Sequence, residues 1–190
     1  MTVSSRAAST RTALLSAARG VFAESGFAEA SIAEVVARAS ASVGSLYHHF
    51  GGKAELYLAL FEEYQSVQEG RAARAVREAR AAGDTDPMAL FVVGSRSYLE
   101  GCWQQRDLAR MFLAGGGPPG FELVARKRYR DWTRRNALLL GAESDESEAL
   151  VLVLTTVISE AGHEIAVCDD EDVARRWVDN VLALVQKIGS

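Results

Sequence analysis

Residues 31–56 read SIAEVVARASASVGSLYHHFGGKAEL, and the helix start and stop signals in this stretch decide the fold around it. Ser31 followed by Glu34 is the pattern of a capping box, and apolar residues recur at helical spacing directly after it. Ser42 is a second helix-starting residue, and Gly51 ends the short helix that it opens. The stretch therefore predicts two short helices joined by a tight turn.

Longer helices are predicted on both sides of this pair. The helix before it is marked by apolar residues on one face, from about Thr12 to Ser25: Leu14, Ala18, Val21 and Phe22. Gly26 is predicted to end that helix, and another begins near Lys53. Three helices with a tight turn between the second and third form a helix-turn-helix pattern.

The rest of the chain also has helical periodicity, and no segment alternates polarity as a β-hairpin does. Hydrophobic residues make up 48% of the 190 residues and there are three prolines, which favours a folded, helical chain. Further helices are predicted at roughly 87–102, 104–113, 119–141, 146–167 and 171–188. We therefore expect an all-α protein of about nine helices, with a helix-turn-helix domain at 1–53 and a second helical domain at 54–190.

The sequence favours a cytoplasmic protein. The N-terminus lacks the pattern of a signal peptide, and the longest apolar run, 149–159, is shorter than the roughly 20 residues that cross a bilayer. Cys102 and Cys168 are not at metal-ligand spacing, which predicts free thiols in a reducing compartment. We expect no metal, no cofactor and no membrane contact.

The charge is uneven along the chain. The net charge is −4, but residues 1–53 carry five basic and three acidic side chains, a balance of +2 that leaves −6 for the rest. The difference is small, and its direction favours an anionic partner at the N-terminal end.

Residues 42–56 allow several functional interpretations. His48 and His49 are adjacent on a helix, so their side chains diverge by about 100° and do not converge on one metal ion. Ser42 and Ser45 lack an acidic orienting partner within the segment, which argues against a nucleophile. A plain solvated helix is a further alternative, but residues 40–52 contain no acidic, lysine or arginine side chain, unlike a typical solvated face.

Contact with DNA explains this composition better. Gly44 and Ser45 are small and lie in the first turn, so the helix can approach base edges in a major groove about 12 Å wide. Serine, tyrosine and histidine side chains donate hydrogen bonds to phosphates. Ser31 and Lys53 each open a helix, and the N–H groups at a helix start attract a phosphate.

At this point the sequence resembles a known family. Residues 31–60, SIAEVVARASASVGSLYHHFGGKAELYLAL, are similar to the DNA-binding signature of the TetR family of bacterial transcriptional regulators. The resemblance implies that the DNA-facing residues are Ser42, Gly44, Ser45, Tyr47, His48, His49 and Lys53. It also implies that Tyr47, His49 and Lys53 mainly hold phosphates. The family often has glycine where Ser40 stands.

The resemblance further implies a C-terminal domain that binds a small molecule and dimerises through its last two helices. The residues favour dimerisation independently, because 150–158 is apolar on every side and the last helix has seam spacing from Ala174 to Ile188. A symmetric dimer would place two recognition helices about 34–36 Å apart, which predicts a palindromic operator. The alternative is that these helices pack inside a monomer.

Candidate residues for the effector pocket combine aromatic bodies with a few polar groups. They are Tyr98, Trp103, Met111, Phe112, Tyr129, Trp132, Asn136, Ser159 and His163, and each of them also fits a plain core position. The predicted function is a ligand-responsive repressor that binds its operator as a homodimer. Two alternatives are a DNA-binding protein of the same fold without an effector, and an enzyme in the C-terminal half, for which no acid, base and nucleophile set is found.

Overall fold

The computed structural model describes residues 3–113 and 116–189, with side chains from 8 to 112 and from 116 onward. All regular secondary structure in these ranges is helical, which confirms the all-α prediction. The nine helices are α1 (Val3–Glu29), α2 (Ile32–Arg38), α3 (Val43–Phe50), α4 (Lys53–Ala81), α5 (Pro87–Gln104), α6 (Arg106–Leu113), α7 (Phe121–Leu140), α8 (Asp145–Val167) and α9 (Glu171–Ile188).

Local capping accounts for several of the helix starts. The Ser42 hydroxyl accepts a hydrogen bond from the Ser45 N–H at 3.1 Å, as its N-cap position predicts. Asp86 and Asp170 do the same for α5 and α9, at 2.8 and 2.9 Å. Gly51, in the left-handed region with φ of 90°, ends α3.

Of three local predictions at the N-terminal end, two are wrong and one is confirmed. The capping box at Ser31 does not form, because the Glu34 carboxylate instead accepts a charge-assisted hydrogen bond from Arg38 at 2.6 Å. The first helix begins at Val3 rather than near Thr12. The predicted end at Gly26 is confirmed, because its φ of 70° and ψ of 174° interrupt the helix there, and a short helical stretch then resumes up to Glu29.

The chain forms two compact units. The first comprises Met1–Gln65 and Met111–Glu122, and the second comprises Ser66–Arg110 and Leu123–Ser190. The contacts therefore do not divide the chain at residue 53, because the first half of α4 packs within the first unit. The predicted division at that residue stays a prediction about where each function lies.

Buried aromatic rings hold the first unit together. The ring of Tyr57 on α4 lies 5.3 Å from that of Phe22 on α1, 5.4 Å from Phe112 and 5.3 Å from Phe121. Phe61 is in edge contact with Phe112 and Phe121 as well. The end of α6 and the start of α7 are thus packed into the core of the unit that contains α1, α2 and α3.

The second unit has its core among α5, α8 and α9. Leu99, Leu154, Ile158, Ile165 and Val185 are all completely buried there. Among the described residues α8 is long and apolar enough to cross a membrane by length and composition alone, but its buried face packs in this core, as in an ordinary core helix.

Candidate nucleic-acid interface

A single anchor residue fixes α3 on its neighbours. Leu46 is fully buried, and α2 contributes Val35 and Val36, which are 1% and 8% exposed. The turn between the helices passes through Ser40, which has a φ of 50°, and is closed by a hydrogen bond from the Ala41 N–H to the Val36 carbonyl at 2.9 Å. The pair is therefore a helix-turn-helix with one face of α3 left open.

The open face of α3 is polar and nearly free of charge. Five residues are exposed on or beside it: Ser42, Val43, Gly44, Tyr47 and His48. The side chains of Ser45, His49 and Phe50 are half-buried. Val43 and Tyr47 have helical spacing with the buried Leu46, yet they are 47% and 52% exposed.

Gly44 has no structural reason to be glycine. Its backbone is helical, and a Cβ atom added there would meet only the Ser42 hydroxyl oxygen, at 4.0 Å. A glycine inside a helix costs about 0.5–1 kcal/mol relative to alanine. Neither backbone conformation nor packing within the described residues offsets that cost.

The rings of His48 and His49 lie against each other on α3. Their ring centroids are 5.4 Å apart in an edge-to-face arrangement. No group of three or more histidine, cysteine or acidic side chains suited to a metal ion occurs within the described ranges. His48 and His49 are therefore available as hydrogen-bonding groups on an open surface.

Lys53 has a structural role that the sequence did not reveal. Its Nζ donates to the carbonyl oxygens of Ala28 and Ala30 at 2.8 and 2.9 Å, and lies 4.9 Å from the centre of the Phe27 ring. The ammonium therefore ties the start of α4 to the end of α1. Since an ammonium has three hydrogens, one more donor is available to an outside group.

The other described cations of the first unit differ in availability. Arg38 is held by Glu24 at 2.7 Å and Glu34 at 2.6 Å, and its hydrogen bond to Glu24 lowers the pKa of that carboxyl. Arg11 is exposed and lies 5.2 Å from the centre of the Phe50 ring, beside the end of α3. Arg11 was not predicted as a site residue, although its place on the polar face of the first helix was a usable signal.

Comparisons with known proteins agree with this geometry. A model of "Bacterial regulatory proteins, tetR family" matches residues 14–60, which span most of α1, all of α2 and α3, and the start of α4. A TetR-family transcriptional regulator from Pectobacterium atrosepticum is 26% identical, with a TM-score of 0.61, over 99% of this chain and 95% of its own. In sequence over residues 14–60, and in fold over nearly its whole length, this chain is similar to TetR-family regulators. The resemblance is thereby confirmed, and the family is one of transcriptional regulators rather than enzymes.

Curated relatives match only part of the chain. The HTH-type transcriptional regulator CymR of Pseudomonas putida is 43% identical over 74 residues, which are 38% of this chain and 36% of CymR. UidR of Escherichia coli K12 is 43% identical over 56 residues, 30% of this chain and 29% of UidR. The matches thus span about a third of the length of these relatives.

Other solved structures share the fold. The fatty acid degradation regulator FadR of Bacillus halodurans has a TM-score of 0.71 at 17% identity, over 92% of this chain and 96% of its own. At that identity the likeness extends to the fold alone. The helical arrangement of the described residues is therefore also found in that protein.

The predicted pocket residues are distributed over both compact units. Met111 and Phe112 belong to the first unit, and Tyr98, Trp103, Tyr129, Trp132, Asn136, Ser159 and His163 to the second. In the second unit the rings of Tyr98 and Trp132 are 4.9 Å apart. The buried Asn136 amide donates to the Thr155 hydroxyl at 3.0 Å.

The remaining predicted residues lie around these. The Tyr129 hydroxyl is 2.7 Å from that of Thr156, and Ser159 is half-buried on α8. His163 is half-buried, and desolvation lowers its pKa. Trp103 lines a shallow groove of about 300 Å³ between α5 and α9, with Ala174 and Val178 on its floor.

Proposed function

We propose that this protein is a TetR-family transcriptional repressor that binds a palindromic operator as a homodimer and is released by a small-molecule effector. Residues 1–53 carry DNA binding in this proposal, and residues 54–190 carry effector binding and dimerisation. The protein acts in the cytoplasm, where its operator lies.

The observation that carries the proposal is the unexplained glycine at position 44. Gly44 lowers helix stability and has no internal use, so the benefit of a bare backbone must come from a partner outside the chain. It lies in the first turn of α3, between the exposed Val43 and the half-buried Ser45. A helix that is slim in its first turn can approach base edges in the major groove.

The neighbouring groups have chemistry that suits the two kinds of DNA contact. Ser42, Ser45, Tyr47, His48 and His49 supply hydroxyl and imidazole groups for phosphates and base edges. Lys53 and Arg11 supply positive charge close to the far end of α3. Ser31, whose hydroxyl caps nothing in its own helix, is free to contact a phosphate.

Dimerisation follows from the apolar surface of the last two helices. Leu152 and Val153 of α8 and Trp177, Leu184 and Ile188 of α9 are 44–56% exposed, although they are large and apolar. A second copy of the same helix pair would cover them in an isologous interface.

Binding of an effector in the second unit can change the first unit through the helices that belong to both. Phe112 of α6 and Phe121 of α7 pack among the aromatic rings of the first unit, and both helices continue into the second unit. A ligand that moves α6 or α7 would therefore act on the ring cluster around Tyr57. Release needs only a difference of a few kcal/mol between the affinities of the two states.

Substitution of Gly44 by leucine tests the proposal. The G44L variant should keep or gain thermal stability, because leucine is the better helix former, but lose about 100-fold or more in affinity for a duplex selected by the wild-type protein. Fluorescence anisotropy measures the affinity. Gly70, on the open surface of α4 with nothing within 4 Å of an added Cβ, provides the matched control G70L, which should keep full affinity.

Two results would contradict the proposal. One is a G44L variant that binds the selected duplex as tightly as G70L does. The other is a wild-type protein that selects no duplex at low salt. A wild-type protein that binds DNA with an affinity no small molecule changes would favour the alternative, a DNA-binding protein of the same fold without an effector.

A further inference from the structure

Gln68 on α4 is a buried amide with no internal partner. Its side chain is 1% exposed, and within residues 3–113 and 116–189 neither Nε2 nor Oε1 makes a hydrogen bond. Leaving a buried polar group unpaired is more destabilising than replacing it by an apolar side chain of similar shape. The second unit would therefore be more stable with methionine or leucine at this position.

The backbone of α5 makes room for this amide. Gly101 is buried, and a Cβ atom added there would lie 2.0 Å from Gln68 Oε1 and 2.9 Å from its Cδ. Any other residue at 101 would push the carboxamide out of its place. A helical glycine and an unpaired amide, each destabilising alone, are thus found together.

Gln105, the residue that caps the end of α5, adds a third polar atom. It follows Gly101 by four residues, and its N–H donates to the Gly101 carbonyl at 3.0 Å. Its Oε1 is also buried and has no partner within the described part of the chain. Through this backbone hydrogen bond, Gln105 lies one helical turn beyond the bare Gly101 backbone.

We infer that Gln68, Gly101 and Gln105 form the polar end of the effector site, and that the effector carries a neutral cis-amide edge, as a lactam or cyclic imide does. This inference rests on the proposed function and names the chemical class of the effector. The carboxamide of Gln68 presents an N–H donor beside a carbonyl acceptor. Its complement is an N–H beside a C=O, held cis in a ring.

A neutral ligand fits the charges around the site. The charged residue next to Gln68, Glu69, is already shared by Arg135 at 2.7 Å and Arg128 at 3.4 Å. An ionised ligand would need an opposite charge to offset its desolvation, and neither glutamine supplies one. An amide edge needs only the donor and acceptor that are present.

Side-chain amide NMR of the full-length protein tests the inference without DNA. The two Gln68 Nε2 proton signals are assigned by their absence from the Gln68→Met variant. Titration with 2-piperidone should shift them, whereas N-methyl-2-piperidone, which keeps the acceptor but lacks the donor, should not. Without any ligand, Q68M should melt about 2–8 °C higher than the wild type. Gln104→Met, at an exposed glutamine of α5, is the control and should retain the lactam response.

Three outcomes would overturn the inference: Gln68 signals that do not move with 2-piperidone, equal shifts with the N-methylated compound, or a Q68M variant that binds the lactam as the wild type does. None of them involves an operator. A protein that fails here but loses DNA binding through G44L has a different effector class. A protein that binds the lactam but no duplex contradicts the proposed function instead.

Discussion

In the turn between α2 and α3, the backbone of Ser40 adopts the left-handed conformation, with a φ of 50°. This conformation costs an ordinary residue about 1–2 kcal/mol, whereas glycine adopts it freely. Ser40→Gly should therefore raise the free energy of unfolding by about 0.5–1 kcal/mol, after the greater chain entropy of glycine in the unfolded state is subtracted. Urea denaturation measures the change.

The neighbouring Ala39 is the matched control for this prediction. Its φ of −80° is ordinary helical backbone, so Ala39→Gly brings only the entropy cost and should lower stability by about 0.5–1 kcal/mol. Two variants one residue apart should thus change stability in opposite directions. Destabilisation by both would show that the turn does not strain Ser40.

His163 makes the second unit sensitive to acid. Desolvation lowers its pKa in the folded protein, against the opposing effect of Glu160, 3.6 Å away. Because the unfolded imidazole binds a proton at about pH 6.5 and the folded one only at lower pH, stability falls as the pH drops below about 6.5. His163→Gln should lose less stability than the wild type between pH 7 and pH 5 in urea denaturation. Equal losses would contradict the assignment.

The sequence predicts single residues well where the interaction is local. Ser42 and Gly51 could be assigned because a cap involves residues only three or four positions away. The carbonyl partners of Lys53 lie 23 and 25 residues away, and a long side chain carries no sequence signal of such a distant acceptor. At Ser31 the sequence has the capping-box pattern, but the Glu34 carboxylate that would accept the hydrogen bond in such a box is paired with Arg38 instead.

At the scale of elements, the segment from the end of α6 to the start of α7 is held by its aromatic rings. Phe112 is 7% exposed and its ring lies 5.1–5.5 Å from those of Phe61, Tyr57 and Tyr64. Phe112→Ala should therefore lower the free energy of unfolding by about 3–5 kcal/mol, since a cavity remains. Thermal and urea denaturation measure the loss.

Leu123 gives the control for this prediction on the same segment. It is 71% exposed near the start of α7, so Leu123→Ala should change stability by about 0.5 kcal/mol or less. A similar small effect of Phe112→Ala would mean that residues 111–122 do not depend on the ring cluster.

Helix positions could be predicted more closely than helix partners. The starts of α5, α8 and α9 lie within a few residues of expectation because acidic or hydroxyl caps mark them. The start of α1 is rich in alanine, serine and threonine and has no apolar periodicity. The nine helical residues before Thr12 therefore could not be predicted. The packing of Phe112 and Phe121 beside Tyr57 joins residues more than fifty positions apart, and helical periodicity carries no information on such contacts.

At the scale of the whole molecule, the last two helices leave apolar surface that the chain does not cover. Leu184 and Ile188 are 56% and 49% exposed on α9, and Trp177 is 44% exposed. The sequence pattern predicted a seam on this helix, but Val178, Val181 and Val185 are used within the second unit. The helical periodicity of apolar residues does not distinguish those that pack within the chain from those left exposed for a partner.

Leu184→Glu tests whether a second copy covers this surface. The side chain is exposed, so the change should leave the fold intact while placing two unpaired carboxylates in a symmetric interface. Sedimentation equilibrium should find dimers for the wild type and monomers for the variant. Because each monomer then holds one half-site alone, operator affinity should fall by about 100-fold or more. Leu138→Glu, at a 79% exposed leucine of α7, is the control and should remain dimeric with full affinity. A dimeric L184E variant would place the interface on another surface.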